Sequence, residues 1–280
     1  MIVSIITINY NNAEGLKRTL DSVAKQTYRD IEHIIIDGGS TDSSVDAIKE
    51  YVSANPNKDP FFKHTINWIS EKDNGIYNAM NKGIRKATGA YVQILNSGDI
   101  FAAPDVVERM VAECEKAEYP ELLYGNMIKK DYATGKIVGK SREVEYSLRQ
   151  YFVSTMNHDC CYIHRDLFDK YGLYDESLKI CSDWKWFLQA IGLGNVKPVY
   201  ADIDVTIFDA SGISETNLDL RKQERRLILE QLLPPAVLAD YDKHAFEMEQ
   251  MNRLKKHHMY GLVFFMERVL NKLERWKIIK

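Results

Sequence analysis

Short apolar runs, each ending in polar residues, alternate with amphipathic segments over the first hundred residues of the chain. The runs at 2–8, 31–36 and 91–95 are rich in isoleucine and valine, which predicts strands buried on both faces. Between them, the segments 14–25 and 75–89 have the pattern of helices. This alternation predicts an α/β fold with an open, mostly parallel sheet flanked by helices.

The second half of the chain is less regular. The segment ELLYGNMIKKDYATGKIVGK at 121–140 predicts a hairpin. The segment SDWKWFLQA at 182–190 predicts a short helix with Ser182 as its N-cap. We therefore predict one globular domain over residues 1–212 and a helical C-terminal region over residues 213–280.

Charge and composition narrow the function classes. The 280 residues carry a net charge of −3, too weak a field to favour nucleic acid as a partner. No apolar stretch reaches about 18 residues, the length of a transmembrane helix. The N-terminus lacks the basic segment of a signal peptide, and the four cysteines form no CxxC pair. These features predict a cytoplasmic protein.

Polar side chains follow three predicted strands at the point where each strand ends. Asn9–Asn12 follow the first strand, Asp37 ends the second, and Asp99 follows the strand at 91–95. Ligands of open α/β sheets bind at the carboxyl ends of the strands. Two carboxylates there suit a nucleotide and a divalent cation that also binds the diphosphate. The residues alone leave a second interpretation open, in which both acids are turn residues.

Four segments together resemble one enzyme family in order, spacing and strand context. They are SIITINYNN, QTYRDIEHIIIDGGSTDSS, SEKDNGIYNAMNKGIRKATGAYVQILNSGD and CSDWKWFLQA. Over residues 1–212 the chain resembles the family 2 glycosyltransferases, which include bacterial enzymes of cell-surface polysaccharide biosynthesis. The resemblance implies the GT-A fold, a Rossmann-like sheet flanked by helices.

The resemblance also implies a binding site for a nucleotide-sugar. The residues that match the family's donor motifs are Tyr10, Asn12, Asp37, Lys72, Asp73, Gly75, Asn96, Ser97 and Asp99. Among them, Asp37 matches the acid that binds the base, and Asp99 matches the acid that ligands Mn²⁺ or Mg²⁺. Many relatives have a further acid where this chain has Ser97. We therefore expect the metal to bind mainly as its complex with the diphosphate.

A further acid, Asp183, matches the catalytic base of the family, which takes the proton from an acceptor hydroxyl. From the residues alone, an acid in the first turn of a short helix is favoured as a partner of the helix dipole. On the acceptor side, the resemblance points to His158, and Trp184 is a candidate for stacking on a sugar. A zinc site in NHDCCYIHRD at 157–166 is not favoured, since its spacing matches no standard pattern.

The activity implied by the resemblance is inverting transfer of a sugar. The donor would be a nucleotide-diphosphate sugar, with UDP the expected nucleotide, and the acceptor a hydroxyl of a glycan or a lipid-linked glycan. The segment SGIS at 211–214 resembles a loop that closes over the donor. One alternative is a relative that binds the sugar nucleotide without catalysis. A sugar nucleotidyltransferase is disfavoured, because NYNNAEG at 9–15 is no glycine-rich phosphate loop.

The last thirty residues form a basic end on an acidic chain. Residues 251–280 carry eight Lys or Arg against two Glu, a net charge of +6 against −3 for the whole chain. A helical stripe of apolar residues lies beside these charges: Leu262, Phe265, Met266, Val269, Leu270 and Leu273. Three uses stay open: peripheral contact with the inner face of the plasma membrane, packing on the domain, or a homodimer.

Overall fold

The computed structural model describes residues 1–54, 64–144, 146–153, 155–210, 217–256 and 260–275. Its strands are β1 (Val3–Asn9), β2 (Ile31–Asp37), β3 (Thr65–Ser70), β4 (Tyr91–Ile94), β5 (Ile100–Phe101), β6 (Leu122–Lys130), β7 (Ile137–Lys140), β8 (Cys161–His164) and β9 (Val199–Asp209). Its helices are α1 (Ala13–Ala24), α2 (Ser44–Ala54), α3 (Ile76–Lys86), α4 (Val106–Lys116), α5 (Leu148–Val153), α6 (Asp166–Tyr171), α7 (Ser182–Phe187), α8 (Leu218–Leu232), α9 (Pro235–Lys256) and α10 (Tyr260–Arg275). The SGIS segment at 211–214 lies outside the described residues.

The strands form one sheet in the order β3-β2-β1-β4-β8-β6-β9-β5, with β7 paired to β6. The first four of these strands are parallel, as the alternation of strands and helices predicts. Beyond β4 the sheet is mixed, because β8 enters antiparallel between β4 and β6. The predicted hairpin forms between β6 and β7, and β6 also pairs in parallel with β9.

The strand register brings the carboxyl ends of the parallel strands level with one another. Asn9 at the end of β1 pairs with Asp37 at the end of β2, which pairs with Ser70 at the end of β3. The segment after β4 continues along β1, where the Ser97 N–H donates to the Ile8 carbonyl at 3.0 Å. The polar residues that follow these strands therefore meet at one edge of the sheet.

The central strands of the sheet are buried because helices cover both of its faces. All seven residues of β1 and all seven of β2 are buried. Leu16 and Leu20 of α1 pack with Ile35 of β2 and Ile48 of α2. Burial of each such side chain stabilises the fold by about 1.5–3 kcal/mol.

One histidine lies fully inside this core. The ring nitrogens of His33 in β2 lie 3.0 Å from the Thr7 hydroxyl and 3.0 Å from the Tyr51 hydroxyl. Burial, with a smaller effect of His64, lowers the pKa of His33 to about 3. His33 is therefore neutral in the folded protein at pH 7.

Helix α7 begins one residue earlier than its predicted cap implies. Ser182 is the first helical residue, and Cys181 occupies the N-cap position. The Ser182 hydroxyl accepts a hydrogen bond from the Asp175 N–H at 2.5 Å instead of capping the helix. The approach to the helix is fixed by Glu224, whose carboxylate accepts the N–H of Cys181 at 2.9 Å.

The chain divides into two compact units, residues 1–225 and residues 226–280. In the second unit, Arg226 pairs with Glu230 and with Asp242 of α9, each at 2.6 Å. Helix α10 exposes a set of large apolar side chains: Leu262, Val263, Phe264, Phe265, Met266, Val269 and Leu270. Within the described ranges, no helix is both long and apolar enough to cross a bilayer.

Candidate active site

Asp37, at the end of β2, is hydrogen-bonded to residues at the ends of β1 and β3. Its Oδ1 accepts from Asn9 Nδ2 at 2.8 Å and from the Ser40 hydroxyl at 2.6 Å. Its Oδ2 accepts from the Ser40 N–H at 2.9 Å and from the Ser70 hydroxyl at 2.7 Å. Burial raises the pKa of Asp37, but the hydrogen bonds from Ser40, Ser70 and Asn9 outweigh burial and lower it below its ordinary value. Asp37 is therefore an ionised, buried acid.

The glycine pair after Asp37 lets the loop between β3 and α3 approach the strand end. A Cβ on Gly38 would overlap the Asp73 carboxylate, and a Cβ on Gly39 would lie 3.2 Å from Lys72 N. Gly39 also has a φ of +78°, which favours glycine. Asp73 Oδ1 accepts the N–H of Gly75 at 3.0 Å, which closes the loop. Lys72, Asp73 and Gly75 therefore lie beside the end of β2.

Tyr10 and Asn12 follow β1 at the same edge. Tyr10 is 64% exposed, and its ring lies next to Gly38. Asn12 is the N-cap of α1, where its Oδ1 accepts from the Gly15 N–H at 3.1 Å. Its Nδ2 donates to the Ser97 carbonyl at 3.0 Å. Asn12 thus ties the end of β1 to the segment that follows β4.

Residues 96–99 form a tight turn that is organised by Thr19 of α1. The Thr19 hydroxyl donates to the Asp99 carbonyl at 2.7 Å and accepts from the Gly98 N–H at 2.9 Å. Gly98 has a φ of +112°, so this turn requires glycine. The turn directs Asp99 towards the end of β9, where its Oδ1 accepts from the Asp209 N–H at 2.8 Å.

Asp99 is a buried acid among other acids. Its side chain is 3% exposed. Burial raises the pKa of Asp99 well above its ordinary value, and the nearby Asp159 and Asp209 carboxylates raise it further. The Arg18 guanidinium lies 3.5 Å from Asp209 Oδ2 and compensates part of this charge. A cation at Asp99 would favour its ionised form.

The residues around Asp99 fit a divalent cation that takes most of its ligands from a substrate. In the part of the chain that the structure describes, no group of three or more His, Cys, Asp or Glu side chains could hold a metal ion by itself. Mg²⁺ sites commonly combine one or two carboxylates with substrate phosphates. Asp99 and Asp209 would supply those carboxylates at the sheet edge.

The sulfurs of Cys160 and Cys161 both donate to the Asn157 carbonyl, at 3.2 and 3.0 Å.

Asp183 at the start of α7 is held through both of its carboxylate oxygens. The Tyr77 hydroxyl of α3 donates to Oδ1 at 2.9 Å, and His158 Nδ1 lies 3.0 Å from Oδ2. On the other side of the imidazole, Asn96 Nδ2 lies 3.1 Å from His158 Nε2. A chain of contacts therefore joins Asp183 to the turn that carries Asp99.

Asp183 and His158 each stabilise the charged form of the other. Burial raises the pKa of Asp183, but the hydrogen bond and the charge of His158 outweigh burial and lower it below its ordinary value. Burial lowers the pKa of His158, but the hydrogen bond and the charge of Asp183 outweigh burial and raise it. Asp183 is therefore a carboxylate at neutral pH, as a proton acceptor must be.

Trp184 does not lie on the surface of this site. It is 2% exposed, and its Nε1 donates to the Tyr151 carbonyl at 3.3 Å. The Arg225 guanidinium lies 4.9 Å from the centre of its ring. The stacking role expected for Trp184 is not supported by this position, because its ring packs in the core.

Three residues of the site are absent from the sequence-based prediction. Tyr77 lies on the buried face of α3, where a tyrosine cannot be told from an ordinary core residue. Thr19 likewise belongs to the buried face of α1. Asp209 could have been found, because it ends a strand in an acid just as Asp37 does.

The fold and the site together define an α/β enzyme of the GT-A type. The structure of S. aureus TarS 1-349 in complex with UDP-GlcNAc shares the fold with a TM-score of 0.60 and 19% identity, over 75% of this chain and 58% of that one. The mannosyltransferase PcManGT from Pyrobaculum calidifontis, in complex with GDP-Man and Mn²⁺, shares it with a TM-score of 0.59 and 17% identity, over 79% and 60%. The chain spans 45% of a longer TarS chain.

Sequence comparison identifies the family. The family model described as Glycosyl transferase family 2 matches residues 4–172. The uncharacterized glycosyltransferase MT1564 of Mycobacterium tuberculosis is 35% identical over 75% of this chain and 76% of its own length. A PGL/p-HBAD biosynthesis glycosyltransferase of Mycobacterium bovis is 28% identical over 77% of this chain and 80% of its own length. The chain belongs to glycosyl transferase family 2 and is a glycosyltransferase.

Proposed function

We propose that this enzyme transfers a sugar from a UDP-sugar, with inversion, to a hydroxyl of a glycan or a lipid-linked glycan during cell-surface polysaccharide synthesis. The observation that carries the proposal is the fixed Asp183 carboxylate. Tyr77 and His158 hold its two oxygens, and Asn96 links His158 to the turn that bears Asp99. Residues 1–212 would carry the reaction.

The reaction follows from one base and one leaving group. Asp183 takes the proton of the acceptor hydroxyl while the acceptor oxygen forms a bond to the anomeric carbon of the donor sugar. The bond from that carbon to the diphosphate oxygen breaks, and the nucleoside diphosphate leaves with the electron pair. Attack on the face opposite the leaving group inverts the anomeric configuration. A positioned base typically accelerates such a step by about 10²–10⁴-fold.

Asp99, with Asp209, would hold a divalent cation. When bound, Mn²⁺ or Mg²⁺ supplies neutralisation of the charge that develops on the leaving diphosphate. The carboxylate of Asp99 lies in a buried acidic cluster, which favours a bound cation over an empty site. The Mn²⁺ in the PcManGT complex supports the use of a divalent cation on this fold.

Relatives and neighbours support the substrate class. TarS was crystallised with UDP-GlcNAc and PcManGT with GDP-Man, so both uridine and guanosine diphosphates are carried on this fold. The M. bovis relative bears a name from PGL/p-HBAD biosynthesis. That name supports a role in biosynthesis for this enzyme as well.

The first experiment measures thermal stabilisation by UDP, GDP, CMP and dTDP, each with and without Mn²⁺. A ligand at 100 times its Kd stabilises the fold by about 2.7 kcal/mol, which shifts the melting temperature measurably. We expect a metal-dependent shift with UDP. Turnover of the matching sugar nucleotide, followed by NMR of the product anomer, then tests inversion. Absence of a shift with every nucleotide would contradict the proposed donor site.

A further inference from the structure

The Asp37 carboxylate is already saturated with hydrogen bonds from the protein. Its two oxygens accept four hydrogen bonds, from Asn9, from Ser70 and twice from Ser40. An ionised carboxylate offers about four acceptor positions. The side chain is also fully buried. Asp37 has therefore neither a free oxygen nor an open path to a ligand.

A different carboxylate, that of the half-buried Asp73, lies at the same strand end. Asp73 uses Oδ1 to accept the Gly75 N–H. Its Oδ2 is the atom nearest to the position that a Cβ on Gly38 would occupy, and Tyr10 Cδ2 lies 3.3 Å from that position. Among the described residues, no hydrogen bond to Asp73 Oδ2 is formed. Asp73 Oδ2 and the exposed Tyr10 ring thus lie close to each other beside Gly38, which has no side chain.

The position of Asp73 is fixed by the backbone. The Glu71 N–H donates to the Asp37 carbonyl at 3.0 Å, which ties the loop to the end of β2. Gly39 allows the Lys72 backbone to pack against it, and Gly38 leaves the space that the Asp73 carboxylate fills. Glycine at 38 and 39 is therefore what admits this carboxylate to the strand end.

We propose that Asp73, with Tyr10 as its stacking partner, reads the base of the donor nucleotide and selects bases that carry a ring N–H. This inference rests on the proposed function, because it assigns a residue to the nucleotide of the same donor. It replaces Asp37 as the base-reading acid and leaves Asp37 a structural part of the sheet edge.

The selection follows from hydrogen-bond chemistry. An ionised carboxylate only accepts hydrogen bonds. Uracil, thymine and guanine present a ring N–H on their pairing edge, which can donate to Asp73 Oδ2. Cytosine and adenine present a ring nitrogen lone pair there, which a carboxylate repels. An amide in place of the carboxylate could donate to that lone pair. The preference for bases with a ring N–H therefore depends on the carboxylate oxygen that an amide nitrogen would replace.

Calorimetric titration of the full chain with UDP, GDP and CDP, each with Mn²⁺, tests the proposal. We expect Asp73→Asn to weaken binding of the nucleotide that the wild type prefers by about ten- to a hundredfold, the effect of one charge-assisted hydrogen bond. The same variant should bind CDP more tightly than the wild type does. Gly38→Ala, which places a methyl group against the Asp73 carboxylate, should weaken the preferred nucleotide without removing a charge.

Two variants serve as controls. Glu71→Gln removes a charge from the same loop, where Glu71 pairs with Lys82 at 2.8 Å, and should leave the ratio of UDP to CDP affinity unchanged. Asp37→Asn should lower the melting temperature but keep that ratio. If the wild type binds UDP or GDP, and Asp73→Asn leaves the ratio of UDP to CDP affinity unchanged, only the Asp73 assignment is overturned. A wild type that binds none of the nucleotides would overturn both the assignment and the proposed function.

Discussion

The Tyr77 hydroxyl donates a hydrogen bond of 2.9 Å to Asp183 Oδ1, and so joins two residues 106 positions apart in the chain. Tyr77 belongs to α3, and Asp183 belongs to the first turn of α7. His158 engages the other oxygen of the same carboxylate. Contacts on both oxygens fix the plane of the carboxylate, which is what a base must have before its substrate arrives.

Replacement of Tyr77 by Phe should lower kcat about tenfold with little change in the KM for the donor. The ring keeps its packing, but Asp183 loses one of its two fixed contacts and part of its orientation. Steady-state kinetics with a sugar nucleotide and an acceptor would measure both constants. Tyr174→Phe is the matched control, because the Tyr174 ring lies 5.7 Å from the Tyr77 ring and its buried hydroxyl has no hydrogen-bond partner among the residues that the structure describes. Equal losses in the two variants would mean that Tyr77 acts only through packing.

Replacement of Asp183 by Asn should reduce kcat by about 10²–10⁴-fold and leave donor binding close to that of the wild type, because the amide cannot take the proton. Single-turnover rates and calorimetric donor binding would separate the two effects. Asp175→Asn is a useful comparison, since Asp175 pairs with Lys185 at 2.6 Å in the same region. A comparable loss of donor affinity in Asp183→Asn would show that the residue is structural.

Replacement of Asp99 by Asn should abolish the Mn²⁺-dependent part of nucleotide binding. It should also preserve or raise the melting temperature of the free protein, because burial and the Asp159 carboxylate disfavour a charge at position 99. Thermal melts with and without nucleotide and Mn²⁺ would show both effects in one experiment. Metal-dependent binding that persists in the variant would remove Asp99 from the metal site.

Protonation of His33 should make the fold less stable in mild acid. The unfolded chain binds a proton at His33 below about pH 6.5, whereas the folded chain holds the pKa of His33 at about 3. The unfolded state therefore binds more protons between these values, and the free energy of unfolding falls as pH falls through the window. The loss from this residue between pH 7 and pH 5 is on the order of 2 kcal/mol.

Denaturant unfolding at pH 7 and pH 5 would measure this loss in the wild type and in His33→Gln. The glutamine can still reach the Thr7 and Tyr51 hydroxyls that bond the imidazole nitrogens. It does not titrate, so the variant should show a smaller loss between the two pH values. The same loss in both proteins would place the acid sensitivity elsewhere in the chain.

The strands and the acids that end them could be predicted from the sequence because both depend on local patterns. Four of the six residues at 31–36 are isoleucine, a composition typical of a strand that is buried on both faces. The acids at 37 and 99 could be placed at one edge because parallel strands share the direction of their carboxyl ends. The family resemblance added roles to these positions.

The orientation of each functional side chain was decided only by the tertiary structure. The sequence pointed to Asp37 as the acid that binds the base. The folded chain buries this carboxylate under four hydrogen bonds and, among the described residues, leaves Oδ2 of Asp73 without one. Trp184 lies next to Asp183 in sequence yet packs in the core, while Tyr77 reaches Asp183 from a distant helix. Local patterns fix which face of an element is buried, but contacts between distant segments fix which atoms remain free to bind.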